Sequence, residues 1–288
     1  MSCWAATRTS RPPARPSAWC PTSCPATSTS RSPRSAVADL AVRRQRALRH
    51  YGTPATTRVR LLCFHYAGGN AAMFRDWPDR LPADVATVAV QLPGRDTRLD
   101  EPPHVRMGPL VEELLDVLDP LLDEPFACYG HSMGARVALA LAHALRARAR
   151  PGPRALFVAS SAAPALRSEV RGWDEPDEGL IAYLRDLGGT PPIVFERPDL
   201  LELFLPALRA DLTAVATSGA PARPPLDVPL RAFAGADDGE ASGERMAAWR
   251  EETTGSFELE VVPGGHFFDQ AGVARVLDVI AATLAGPR

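Results

Sequence analysis

Lysine is absent from the 288 residues, and all 32 cationic Lys and Arg positions are arginine. With 29 prolines and abundant alanine, this reads as a coding bias and carries no chemistry. No apolar run is long enough to span a bilayer, because the longest are broken by Arg, Asp or Pro within a few turns. A soluble protein with no membrane partner is therefore expected. The five cysteines, Cys3, Cys20, Cys24, Cys63 and Cys128, are an odd number, and Cys20 and Cys24 have no matching Cys or His pair downstream. No metal site is expected, and a reducing cytoplasm is the simpler compartment. Acids are nearly missing from the first 50 residues, which hold nine Arg against Asp39 alone. Since the formal net charge is -2, the remaining chain is acidic, which argues against nucleic acid as a partner.

Residues 1–50 are rich in Ser, Thr, Pro and Arg with little apolar periodicity, so they are expected to be a disordered extension. A transit peptide shares that composition, as does coding sequence extended upstream of a true start. Residues 51–288 read as one catalytic domain, a size well able to bury a core. Short apolar runs at 59–65, 85–92, 125–129, 155–159, 228–234 and 257–262 suit buried parallel strands. Between them lie helical patterns at 107–122, 133–148, 240–252 and 273–284. Strands alternating with helices imply an α/β fold with a mainly parallel sheet and helices on both faces. At about 164–225 the alternation stops, and helical patterns at 178–187 and 200–215 suggest an inserted lid that controls access.

Gly130-His131-Ser132-Met133-Gly134 matches G-x-S-x-G with a strand before it and a long helix after it. The glycines permit a sharp turn that exposes the Ser132 hydroxyl, and the helix N-terminus beside it favours developing negative charge. A serine hydroxyl needs a base, and the base needs an orienting acid. His266 is the histidine that follows the late strands, reached through Pro263-Gly264-Gly265. The acid should close the preceding strand, where Asp237 and Asp238 are adjacent; Asp238 is preferred for its spacing from Gly235, and Asp237 stays open. Met133 and Ala67 are the expected oxyanion-hole donors, with Gly68 as the neighbouring alternative.

These motifs, together with Phe64-His65-Tyr66-Ala67-Gly68-Gly69, Gln91-Leu92-Pro93-Gly94-Arg95, Leu187-Gly188-Gly189-Thr190-Pro191 and Pro263-Gly264-Gly265-His266-Phe267-Phe268, resemble the free-standing type II thioesterases of polyketide synthases and nonribosomal peptide synthetases. The likeness runs from about Arg58 to the C-terminus. It departs at His65, where Pro is common, and at Asp238-Gly239, where Asp-Pro is frequent. The resemblance implies the α/β-hydrolase fold and a Ser132, Asp238, His266 triad without cofactor or metal. It also implies hydrolysis of stalled acyl groups from the phosphopantetheine arm of acyl or peptidyl carrier proteins; a monomer is expected. Arg95 and Arg98 are candidates for the arm's phosphate, or else pair with nearby acids. A carboxylesterase acting on small esters and a silent carrier-binding module are the competing readings.

Overall fold

The computed structural model describes residues 33–52, 54–166, 170–219 and 223–285. The expectation for residues 1–32 lies outside them. In chain order the elements are α1 (Pro33–Ala47), β1 (Leu48–Tyr51), β2 (Val59–Phe64), β3 (Val85–Val90), α2 (Met107–Leu118), β4 (Phe126–His131), α3 (Met133–Ala147) and β5 (Leu156–Ala159). Then follow α4 (Asp177–Leu187), α5 (Pro192–Glu196), α6 (Pro198–Ala216), β6 (Leu230–Gly235), α7 (Gly243–Ala247), β7 (Phe257–Val262) and α8 (Gln270–Leu284).

The strands form a seven-stranded sheet in the order β1-β3-β2-β4-β5-β6-β7. All neighbours run parallel except β1, which pairs antiparallel with β3 from Leu48 opposite Val90 to Tyr51 opposite Thr87. Successive side chains of a strand point to opposite faces, and both faces here are buried. In β2, Leu62 and Phe64 join the core beneath α2, α3 and α7, while Leu61 and Cys63 join the core beneath α8. That double burial is why these strands read as continuous apolar runs.

The expected boundary at residue 50 is corrected, because it falls inside β1. Residues 33–50 form a helix and most of an edge strand. Polar contacts that no hydrophobic pattern reveals hold this segment. Arg44 donates to Asp116 O at 2.8 Å, Arg46 donates to Thr97 O at 2.8 Å and pairs with Asp100, and from residue 38 to 50 Ala47 alone is wholly buried.

Between β5 and β6 the described residues form three helices, α4, α5 and α6, where the sequence pattern suggested two. Leu180, Leu184, Leu205, Leu208 and Leu212 build a separate apolar cluster there that touches Ala67. The expected helix at 240–252 is shorter. Backbone N–H groups of Glu240 and Ala241 bond the Asp238 carboxylate instead, so α7 begins only after Ser242, and residues 248–252 tighten into a 3₁₀ turn.

Candidate active site

Ser132 sits between β4 and α3 with φ 54° and ψ -115°, a strained conformation for a residue bearing a Cβ. Its N–H donates to Ala159 O at 2.7 Å, which fixes the turn against β5. Close approach dictates the flanking glycines. A Cβ on Gly130 would lie 2.1 Å from Gly134 O, and one on Gly134 would lie 2.1 Å from Phe64 O. Any side chain at either position would push α3 off the sheet.

The loop after β7 brings His266 over this turn. The Asp237 N–H donates to Gly264 O at 3.0 Å, tying that loop to the one after β6. His266 Nε2 is 3.0 Å from Ser132 Oγ, and His266 Nδ1 is 3.1 Å from Asp238 Oδ2. A carboxylate accepts only, so Nδ1 carries the proton and Nε2 is left to accept from the serine hydroxyl. Asp238 is buried, and its Oδ1 accepts from Glu240 N and Ala241 N, each at 2.9 Å. Burial pushes the Asp238 carboxyl up, but the His266 hydrogen bond and charge and the two backbone donors outweigh it, holding it below its ordinary value. Asp237, one residue earlier, is exposed.

His131 was not singled out by the sequence, although it stands inside the Gly-His-Ser motif. Its ring is buried, and Nε2 donates to the His266 carbonyl at 2.8 Å while Tyr129 Oη lies 3.3 Å from Nδ1. Burial, and then the proximity of His266, drive its pKa down to about 3, so it stays neutral and buttresses the loop that carries His266. His143, on α3, is buried and accepts from Arg146 at 3.1 Å.

Met133 is the first residue of α3, so its N–H has no acceptor within the helix. Among the described residues the Ala67 N–H makes no hydrogen bond either, whereas the Gly68 N–H is taken by Asp211 Oδ2 at 2.9 Å. Ala67 and Met133 border the same cavity as Ser132 and His266. Arg95 and Arg98 both turn inward to acids. Arg95 is buried against Asp211, and Arg98 is buried against Glu101 and Glu113.

Two cavities meet at Ser132. One of 650 Å³ is bordered by polar groups that include Ser160, Arg171, Tyr183 and Glu240. The other, of 400 Å³, is walled mainly by apolar side chains such as Leu184, Leu187, Phe204, Leu208 and Phe267. A larger groove of 1220 Å³ beside α2 and α3 contains none of Ser132, Asp238 or His266. Among the described residues no group of three or more His, Cys, Asp and Glu is placed to hold a metal, and no helix is long and apolar enough to cross a membrane.

A mostly parallel sheet with helices on both faces, and a serine on the tight turn between its central strand and the following helix, defines an α/β hydrolase. Residues 59–284 match the thioesterase domain family, and the chain belongs to that family as a hydrolase of thioesters. It is similar to the solved structure of the RedJ thioesterase from the prodiginine biosynthetic pathway of Streptomyces coelicolor, at 42% identity and a TM-score of 0.77, covering 81% of this chain and 93% of that one. The gramicidin S biosynthesis protein GrsT of Aneurinibacillus migulanus is 35% identical over 74% of this chain and 84% of its own length. LgrE of Brevibacillus parabrevis is 37% identical over 80% and 89%; it is named a linear gramicidin dehydrogenase, a name the family match does not extend to this chain. Solved type II thioesterases of the borrelidin and yersiniabactin pathways share the fold.

Proposed function

We propose that the chain clears acyl groups from the phosphopantetheine arm of acyl or peptidyl carrier proteins in polyketide or nonribosomal peptide biosynthesis. The observation that carries this reading is the hydrogen-bonded chain Ser132, His266, Asp238 at the junction of a cavity of mixed lining and a mainly apolar one. The mainly apolar cavity suits an acyl chain, and the polar groups of the mixed one suit the amide-bearing arm. The similar solved structure of YbtT is that of a type II thioesterase of the yersiniabactin NRPS/PKS biosynthetic pathway, which supports this class of substrate. Helices α4 to α6 act as a lid that keeps water from the acyl group.

In this mechanism Ser132 Oγ attacks the thioester carbonyl as its proton passes to His266 Nε2. Asp238 holds the Nδ1–H and stabilises the imidazolium that forms. The carbonyl oxygen becomes an oxyanion between the N–H groups of Ala67 and Met133. The arm's sulfur then leaves and takes the proton from His266, giving the free thiol and an acyl-serine ester. A water attacks that ester, losing its proton to His266; collapse of the second oxyanion releases the acid and returns the proton to Ser132. Because a thiolate departs readily, attack and deacylation set the rate.

The test is a panel of acyl-loaded carrier proteins, with the matched acyl-pantetheine and the corresponding oxygen ester as controls. Release from the carrier should exceed release from the oxygen ester. Preference for the small ester would favour a carboxylesterase, and no release with no labelling of Ser132 by a fluorophosphonate would mean a binding module.

A further inference from the structure

Where the loop that holds Ala67 packs on α6, a buried ion pair lies beside it. Arg95, after β3, is 8% exposed, and Asp211, on α6, is 4% exposed. The guanidinium grips both oxygens of the carboxylate, with Nη2 at 2.8 Å from Oδ1 and Nη1 on Oδ2. Arg95 is itself anchored, donating from Nε to Pro93 O at 3.1 Å and from Nη1 to Gly69 O at 3.4 Å. Asp211 has one more partner: the Gly68 N–H donates to its Oδ2 at 2.9 Å. A carboxylate from the region between β5 and β6 therefore holds the backbone of the loop after β2.

Peptide planarity turns these contacts into an orientation. In a trans peptide the C=O and the N–H point in opposite directions. The Tyr66 carbonyl accepts from Gly69 N at 2.9 Å and from His65 Nδ1 at 2.7 Å, so the Ala67 N–H of that same plane is turned away from both. In the next plane, the Gly68 N–H is fixed on Asp211. Both peptide planes of Ala67 are thus pinned, one by the loop itself and the other by α6. Neither Arg95 nor Asp211 borders the two cavities at Ser132. A buried ion pair adds little net stability, since desolvation offsets most of the attraction, so the geometry it enforces is the better account of it.

We propose that Arg95 and Asp211 are positioning residues that couple the docking of α6 to the alignment of the Ala67 N–H. The oxyanion hole is then complete only while α6 rests on the loop. This rests on the reading of Ala67 and Met133 as the oxyanion donors. It makes the helices between β5 and β6 part of the catalytic apparatus as well as a cover for it.

The test is the rate at which a fluorophosphonate modifies Ser132, because that reaction uses the nucleophile, the base and the oxyanion donors whatever the acyl substrate. Arg95→Met combined with Asp211→Leu removes the pair without leaving a buried charge. It is expected to slow labelling and thioester kcat together by about 100-fold, the scale of losing one oxyanion donor, with KM and the pH profile unchanged. Arg95→Met with Asp211→Asn restores an acceptor for Gly68 and is expected to recover about tenfold of that loss. If the leucine pair does not fold, Arg95→Lys decides the matter. It keeps the charge but not the two-pronged grip, and is expected to label about tenfold more slowly than the parent. Parent-like labelling, or a loss confined to KM, overturns the inference. Labelling at Ser132 in a parent that releases no acyl group from any thioester defeats the proposed function alone.

Discussion

Asp238 Oδ2 lies 3.1 Å from His266 Nδ1, and the carboxylate is buried, while its neighbour Asp237 points to solvent. Adjacent acids with the same chemistry are separated by which side of the loop after β6 they occupy. Asp238→Asn is expected to lower kcat on the order of 10⁴-fold, because the amide presents the wrong partner to the imidazole and disfavours the Nδ1–H tautomer. Asp237→Asn should leave the rate near the parent's. Steady-state thioester hydrolysis by the two variants checks this, and the reverse ranking would transfer the role to Asp237.

Replacing Ser132 by Ala should abolish turnover, with a loss on the order of 10⁵-fold or more. The melting temperature should not change, since Ala bears the same strain at φ 54° and the turn is made by Gly130 and Gly134. Hydrolysis and thermal melting, measured on one preparation, separate the two effects. Residual activity within tenfold of the parent would remove Ser132 from the role of nucleophile.

Acid should weaken the fold over a definite window. Burial pushes His65 down to about 4 and His131 down to about 3 from an ordinary 6.5. In the unfolded chain both would take a proton as the pH drops past 6.5, whereas in the folded protein they refuse it until much lower pH. The unfolded state therefore binds more protons in that window, and each histidine subtracts about 1.4 kcal/mol per pH unit as the pH falls. Asp238, held below its ordinary value, acts in the same direction at still lower pH: its contribution is full above the ordinary carboxylate range and is lost as pH falls through the folded value. Urea midpoints measured from pH 7.5 down to 5 should fall, and His131→Gln should make the fall shallower. A midpoint that stays level over this range would contradict the burial of both rings.

Deleting the chain through Tyr51 removes α1 and β1 and uncovers the edge of β3. The melting temperature is expected to fall by roughly 5 °C or more, with aggregation through the open strand edge. Scanning calorimetry and light scattering on the truncated and full chains decide it. Unchanged melting would mean that the antiparallel pairing with β3 contributes nothing.

The parallel α/β order and the positions of Ser132 and His266 were legible because they rest on local signals. Buried strands read as apolar runs, and a strand, a Gly-bounded serine and a helix occur within a few residues of one another. The segment at 33–51 was not legible, since α1 is held by arginines reaching Asp116, Thr97 and Asp100 and not by an apolar stripe. His131 stood in view inside the motif, yet its support of the His266 carbonyl depends on a contact across 135 positions.

Hydrophobic periodicity and turn chemistry are short-range, so the hydrolase architecture and the Gly-bounded turn at Ser132 can be read along the chain. It takes the folded chain to set Asp238 rather than Asp237 against His266, to occupy the Gly68 N–H while the Ala67 N–H makes no hydrogen bond among the described residues, and to turn Arg95 inward to Asp211. Those choices depend on which partner lies across a loop or helix and how much water it excludes, and neither is written in the spacing of neighbours along the chain.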